Sequence, residues 1–201
     1  MLERRQGPGC QTGSVNRTQY FTATSIDGFI ADQGNSLDWL FAAAEGRDDG
    51  RFERFFAGVG AMAMGSTTYE WVFEHEGLLE HPEKWGEWYG DTPSWIFTHR
   101  PLPVVEGARL TFVQGPVRPV HEEMVRAANG KNIWIVGGGD LVGQFHDEEL
   151  LDDLLLNVAP AMLGAGAPLL PRRIDPAALT LVRVDRDERF VYLEYAVHHD
   201  A

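Results

Sequence analysis

Apolar residues in this chain come in short runs separated by stretches with helical spacing. Tyr20–Ser25 (YFTATS), Ala61–Met64, Ser94–Thr98 (SWIFT), Arg109–Val113, Ile133–Val136 and Leu154–Ala159 predict strands, most of them β-branched or aromatic. Between them, Phe52, Phe55 and Phe56 in Asp49–Gly58 recur at helical spacing, as do Val120, Met124, Val125 and Ala128 in Pro119–Asn129. Asp140–Phe145 predicts a further short helix. Another begins just past Gly65, where Thr67-Thr68-Tyr69-Glu70 has the T-x-x-E form of a capping box. Ser36 is placed to cap a short helix. Asp27-Gly28 and Gly34-Asn35 are turn signals, so residues 26–35 read as a long loop, and residues 74–92 read as another. Leu179–Asp185 and Phe190–His198 close the chain as two strands about the charged turn Asp185–Glu188. Strands alternating with helices and then pairing antiparallel predict an α/β fold, a mostly parallel sheet with a C-terminal antiparallel hairpin at one edge.

Length changes this picture little: 201 residues suit one domain, expected over 19–199. Residues 1–18 lack the apolar core of a signal peptide and read as a disordered leader. Charge changes it more. With 17 basic and 30 acidic residues the net charge is −13, which argues against a nucleic-acid or anionic-membrane partner. The apolar stretch Leu154–Leu170 is broken by Asn157, Pro160 and Pro168 and fails as a membrane span. The single Cys10 excludes an internal disulfide, pointing to a cytoplasmic protein. The seven histidines show no ligand spacing, so no metal is expected.

Two stretches repeat one design of strand, glycine and helix start. They are Met64-Gly65-Ser66-Thr67-Thr68 and Val136-Gly137-Gly138-Gly139-Asp140. A helix N-terminus presents free N–H groups and about half a positive charge, so it holds an anion without a basic side chain. That would reconcile an acidic protein with an anionic cofactor and is favoured over the alternative, a tight-packing turn. G-x-G-x-x-G read from Gly137 fails at Val142, and neither a P-loop nor a G-x-S-x-G elbow occurs.

The segments YFTATSIDGFIAD, AMAMGSTTYE, WIFTHRPLP, WIVGGGDLVGQF and LLDDLLLNVAPAMLGAGAPLLP follow one another across residues 20–198. In that order they resemble the dihydrofolate reductase superfamily. Within it they are most similar to the reductase domain of bacterial riboflavin biosynthesis and its stand-alone relatives. The resemblance implies a three-layer dihydrofolate-reductase-like fold and a reductase using NADPH, with NADH possible, on a small pterin- or pyrimidine-like heterocycle. It implies a homodimer, with the C-terminal strands as a possible interface. By the same resemblance Ala23, Ile30 and Ala31 would line the nicotinamide side. Gly65, Ser66, Thr67 and Thr68 would hold phosphate at one helix start, and Gly137, Gly138, Gly139, Asp140, Leu141 and Val142 at the other. Thr98, His99 and Arg100 would meet the adenosine ribose and its 2′-phosphate. Many relatives carry a basic residue where this chain has Ser66, which leaves Arg100 to supply that charge.

For the substrate, Asp49 lies sixteen positions before Gly65 and could reach the pocket as proton donor, or could cap its helix. Asp27 is a second acid in the same region, though Asp-Gly is first a turn signal. Lys84 and Arg172-Arg173 are weakly placed for a substrate phosphate. Trp71, Trp85, Trp88, Tyr89 and Trp95 could wall a flat ring or simply pack. Asp147-Glu148-Glu149 with Asp152-Asp153 reads as a solvated acidic turn, and His198-His199 as a frayed tail. A true dihydrofolate reductase and a nucleotide-binding protein without catalysis are the alternatives.

Overall fold

The computed structural model describes residues 16–46 and 50–199. Positions 1–15 of the expected leader and the candidate acid Asp49 therefore lie outside the described residues. The chain opens with β1 (Thr18–Thr24) and β2 (Phe29–Ala31), then α1 (Asp38–Ala44), α2 (Arg51–Phe56) and β3 (Val59–Gly65). It continues through α3 (Ser66–His75), α4 (Glu83–Tyr89), β4 (Ser94–Phe97), β5 (Leu110–Val113) and α5 (Val117–Ala128). It closes with β6 (Asn132–Gly137), α6 (Gly139–Asp147), β7 (Asp153–Val158), β8 (Ala167–Pro168), β9 (Leu179–Arg186) and β10 (Val191–Val197).

The main sheet has the order β5-β4-β3-β6-β1-β7-β10-β9. Its first six strands are parallel, and β10 and β9 join antiparallel at the edge, as the alternation of elements predicts. Each central strand sends alternate side chains to opposite faces. Ala61 and Ala63 meet Val120, Met124 and Phe145 beneath α5 and α6. Met62, Met64 and Trp134 meet Tyr69 and Val72 of α3 on the other face. The small residues on the first face let α5 come close: a Cβ on Gly60 would stand 2.3 Å from the carbonyl oxygen of Ala128. On the second face Trp134 is ringed by Phe21, Phe52, Phe55, Phe56 and Tyr89, with centroids 5.5–6.4 Å away. Its indole N–H donates to the carbonyl of Phe21 at 3.0 Å, so a large apolar body is buried without orphaning its donor.

Several expectations need correction. β1 starts at Thr18, inside the expected leader, because Arg17 pairs with Asp153 and the Thr18 amide donates to Asp152. Asp153 is thus buried and paired rather than solvated. The loop over 26–35 contains β2, which pairs with β8 in a small second sheet. The loop over 74–92 contains α4, whose Trp85 is fully buried against Tyr69. The T-x-x-E capping box does not form: the N-cap is extended Gly65, two residues before Thr67, and Glu70 turns instead to Arg100. His198 is tied to Thr180 and to the Ala178 carbonyl rather than frayed.

Candidate functional site

β3 leads through α3 to β4 on one side of the sheet, while β6 leads through α6 to β7 on the other. The seam between β3 and β6 is therefore a topological switch point, where open α/β sheets leave a crevice at the carboxyl ends of their strands. Both helices start in that crevice from opposite faces of the sheet. Neither is capped by a side chain at its N-terminus, so the first N–H groups of each face the crevice unclaimed by a cap.

Two cavities meet there. One, of about 320 Å³, is bordered by Gly65, Ser66, Thr67, Thr68, Thr98, His99, Asp140 and Leu141. The other, of about 350 Å³, is bordered by Ile30, Ala31, Trp71, Gly137 and Gly139. Thr67, Thr68, Gly138 and Asp140 border both, which makes them two ends of one groove. Within the glycine triplet the work is divided. A Cβ on Gly138 would meet nothing within 4 Å, whereas one on Gly139 would stand 2.2 Å from the Pro168 carbonyl oxygen and 2.7 Å from that of Leu169. Gly137 is limited by Thr68, whose hydroxyl would lie 3.2 Å from an added Cβ. The peptide bond between Gly137 and Gly138 is cis. Of the two readings left open for the triplet, close packing explains Gly139, and access to the groove explains Gly138.

Not every expected residue reaches the groove. Ala23 pairs with Asn157 in the sheet and borders neither cavity, and Val142, within α6, is fully buried. Arg100 borders a neighbouring cavity with Thr98 and His99. Its guanidinium is held by both carboxylate oxygens of Glu70, the first contact at 2.5 Å. Arg172 is held by Asp147 at 2.8 Å and reaches Asp140 at 3.2 Å. Of the five aromatics considered as a ring wall, Trp71 alone borders the groove; Trp85 and Trp95 belong to the core. Trp71 stacks on His75 at 4.4 Å, which stacks in turn on Phe41 at 5.1 Å. Gln114 and Gly115, just past β5, border the groove and escape sequence reading. Extending the carboxyl-end rule to the next parallel strand would have found them.

Asp27 faces away from this chemistry. Its carboxylate accepts from the Ser25 hydroxyl at 2.6 Å and from the amides of Gly164 at 2.7 Å and Leu163 at 3.1 Å. These bonds, the Ser25 hydroxyl first, lower its pKa from 3.8 to about 2. It clasps the β1–β2 loop to the segment before β8, the strand that carries Pro168 under Gly139. Because the folded pKa lies below the unfolded one, the clasp is complete above about pH 4 and is lost as pH falls through about 2. Thermal melts from pH 5 to pH 2 should therefore fall more steeply for the parent chain than for Asp27→Asn. Parallel slopes would show that the carboxylate holds nothing. Among the described residues no group of His, Cys, Asp or Glu could hold a metal ion, and no helix is long and apolar enough to cross a membrane.

Comparison with known proteins agrees with this fold. The uncharacterised protein YwjB of Bacillus subtilis is 30% identical over 179 residues, covering 89% of this chain and 97% of its own. A Shewanella sp. PV-4 protein described as one of riboflavin biosynthesis superposes with TM-score 0.72 at 22% identity, covering 91% of this chain and 99% of that one. Dihydrofolate reductase from Enterococcus faecalis superposes with TM-score 0.55 at 16% identity, covering 91% and 97%. The fold is therefore the dihydrofolate-reductase-like one that the resemblance implied. Residues 72–192, more than half of the sequence, match the family described as RibD C-terminal domain, and the chain belongs to that family.

Proposed function

We propose that this protein is a reductase that binds a reduced nicotinamide dinucleotide along the groove and reduces a small planar heterocycle of pyrimidine or pterin type. The observation that carries this reading is the single groove joining two uncapped helix N-termini across the β3–β6 seam, with Gly138 bare at its middle. The Enterococcus faecalis relative in the same fold is a complex with NADP(H), which supports the choice of cofactor class. The dinucleotide would supply the hydride, and the chain would supply position and a sheltered pocket. The N–H groups opening α3 and α6 hold the diphosphate. Thr98 and His99 border the adenosine end, and Ile30 and Ala31 the nicotinamide end. Trp71 offers a ring face to the substrate at that end. Asp27, committed to its clasp, is a poor proton donor, and Asp49 keeps that role in this reading. The same reading places the protein in the cytoplasm and makes it a homodimer. The dimer is supported by Leu181, Val182 and Val184, which stand 49–57% exposed on edge strand β9.

Titrating the purified chain with NADH and NADPH, while following energy transfer from tryptophan to nicotinamide, tests the reading. Saturable transfer is expected, and it should weaken in Trp71→Phe, whose indole borders the groove. Absence of transfer with both cofactors would refute the reductase assignment. Light scattering on the same sample should give twice the chain mass, and a single-chain mass removes the dimer.

A further inference from the structure

We infer that the groove takes NADH in preference to NADPH, and that Glu70 sets this preference by acting through Arg100. The inference rests on the cofactor reading above and concerns only its ribose end. Ser66 opens α3, and Glu70 lies four residues on, so both share one face of the helix, toward the carboxyl end of β4. On the cofactor reading the ribose lies along Thr98 and His99, which border one cavity with Ser66, so a phosphate there would need a cation from this face. Ser66 supplies none. Among the described residues bordering the adenosine-side cavity there is no lysine or arginine, and the one formal charge is the carboxylate of Asp140.

The two nearby arginines are already committed. Arg172 is spent on Asp147 and Asp140. Arg100 is gripped through two nitrogens by the two oxygens of Glu70, a fork-on-fork pairing that fills the geometry a phosphate would use. The pair is part-exposed, with side chains 57% and 28% accessible, so opening it costs little in itself. The cost lies in what opening leaves behind. Once Arg100 swung to a 2′-phosphate of nearly two negative charges, the Glu70 carboxylate would stand beside it unneutralised. A chain of net charge −13 adds to that repulsion. The unphosphorylated ribose of NADH meets none of these terms, since its hydroxyls need no cation.

The test is the ratio of dissociation constants for NADH and NADPH, measured on the full chain. NADH is expected to bind measurably tighter than NADPH. Glu70→Gln keeps the shape but drops the charge, freeing Arg100; it should tighten NADPH about tenfold, the worth of one charge-assisted bond, and leave NADH within about twofold. Adding Arg100→Ala to that variant should return the ratio to the parent value, which loss of a merely structural pair would not do. NADPH binding the parent chain as tightly as NADH, or tighter, overturns the inference. So does a ratio that ignores Glu70→Gln. Failure of both cofactors to bind would instead strike the cofactor reading, and the two failures are told apart in the first titration.

Discussion

Gly139→Ala is expected to lose about 3 kcal/mol of stability, the upper end of the range for overpacking a filled site. The added Cβ would stand 2.2 Å from the Pro168 carbonyl oxygen and 2.7 Å from that of Leu169, and both are backbone atoms that no rotamer change can move. Helix propensity works the other way, since alanine is favoured over glycine inside a helix by about 1 kcal/mol. The sign of the measured change therefore decides which effect rules this position. For a chain of this length the loss corresponds to a melting temperature lower by about 6–12 °C. Denaturant unfolding monitored by tryptophan fluorescence measures it directly. A variant as stable as the parent would mean that the segment around β8 yields freely, and the packing role of Gly139 would be withdrawn.

One residue earlier the expectation inverts. In Gly138→Val the new Cβ meets nothing within 4 Å, and the backbone is extended, with φ −84° and ψ 176°, which suits a β-branched residue. Stability should stay within about 0.5 kcal/mol of the parent. The methyl groups, however, would occupy the middle of the groove, where both cavities meet. Nicotinamide cofactor affinity should fall about a hundredfold or more, equivalent to roughly 2.7 kcal/mol. The titration by energy transfer and a thermal melt on the same sample separate the two quantities. Unchanged affinity would place the dinucleotide somewhere other than across the β3–β6 seam. The opposite outcomes at neighbouring glycines give a paired test in which each variant is the control for the other.

The central strands were legible because their apolar runs are uninterrupted: Ile133–Val136 and Ala61–Met64 are buried on both faces, and the sheet follows from them. The elements that sequence reading missed depend on distant partners. α4 is seven residues long with Gly86 inside it, too short to persist alone, and it is held by Trp85 and Tyr89 docking into the core around Trp134 and Tyr69. β2 and β8 exist only because Phe29 and Ala31 meet Pro168 and Ala167 from the far end of the chain. At the site, the two strand-glycine-helix stretches announced the two helix starts that open into the groove. The partner of Arg100 was hidden because Thr67-Thr68-Tyr69-Glu70 offered Glu70 a local role as a cap, and the tertiary ion pair displaced it. Asp153 was hidden similarly, since its burial depends on Arg17 near the other end of the chain.

The groove between β3 and β6 is floored by main chain rather than by side chains: Gly65, Gly137 and Gly138, and the amides that open α3 and α6. A backbone amide carries no proton that titrates in the physiological range, so its hold on an anion is the same in acid and in mild base. It also has no rotamer to lose. The floor is in this sense fixed capital of the fold, while the walls at Ser66, Trp71, His99 and Gln114 are free to be rewritten. On the proposed function, a protein built this way would exchange one heterocycle, or one dinucleotide, for another without rebuilding the floor of its groove.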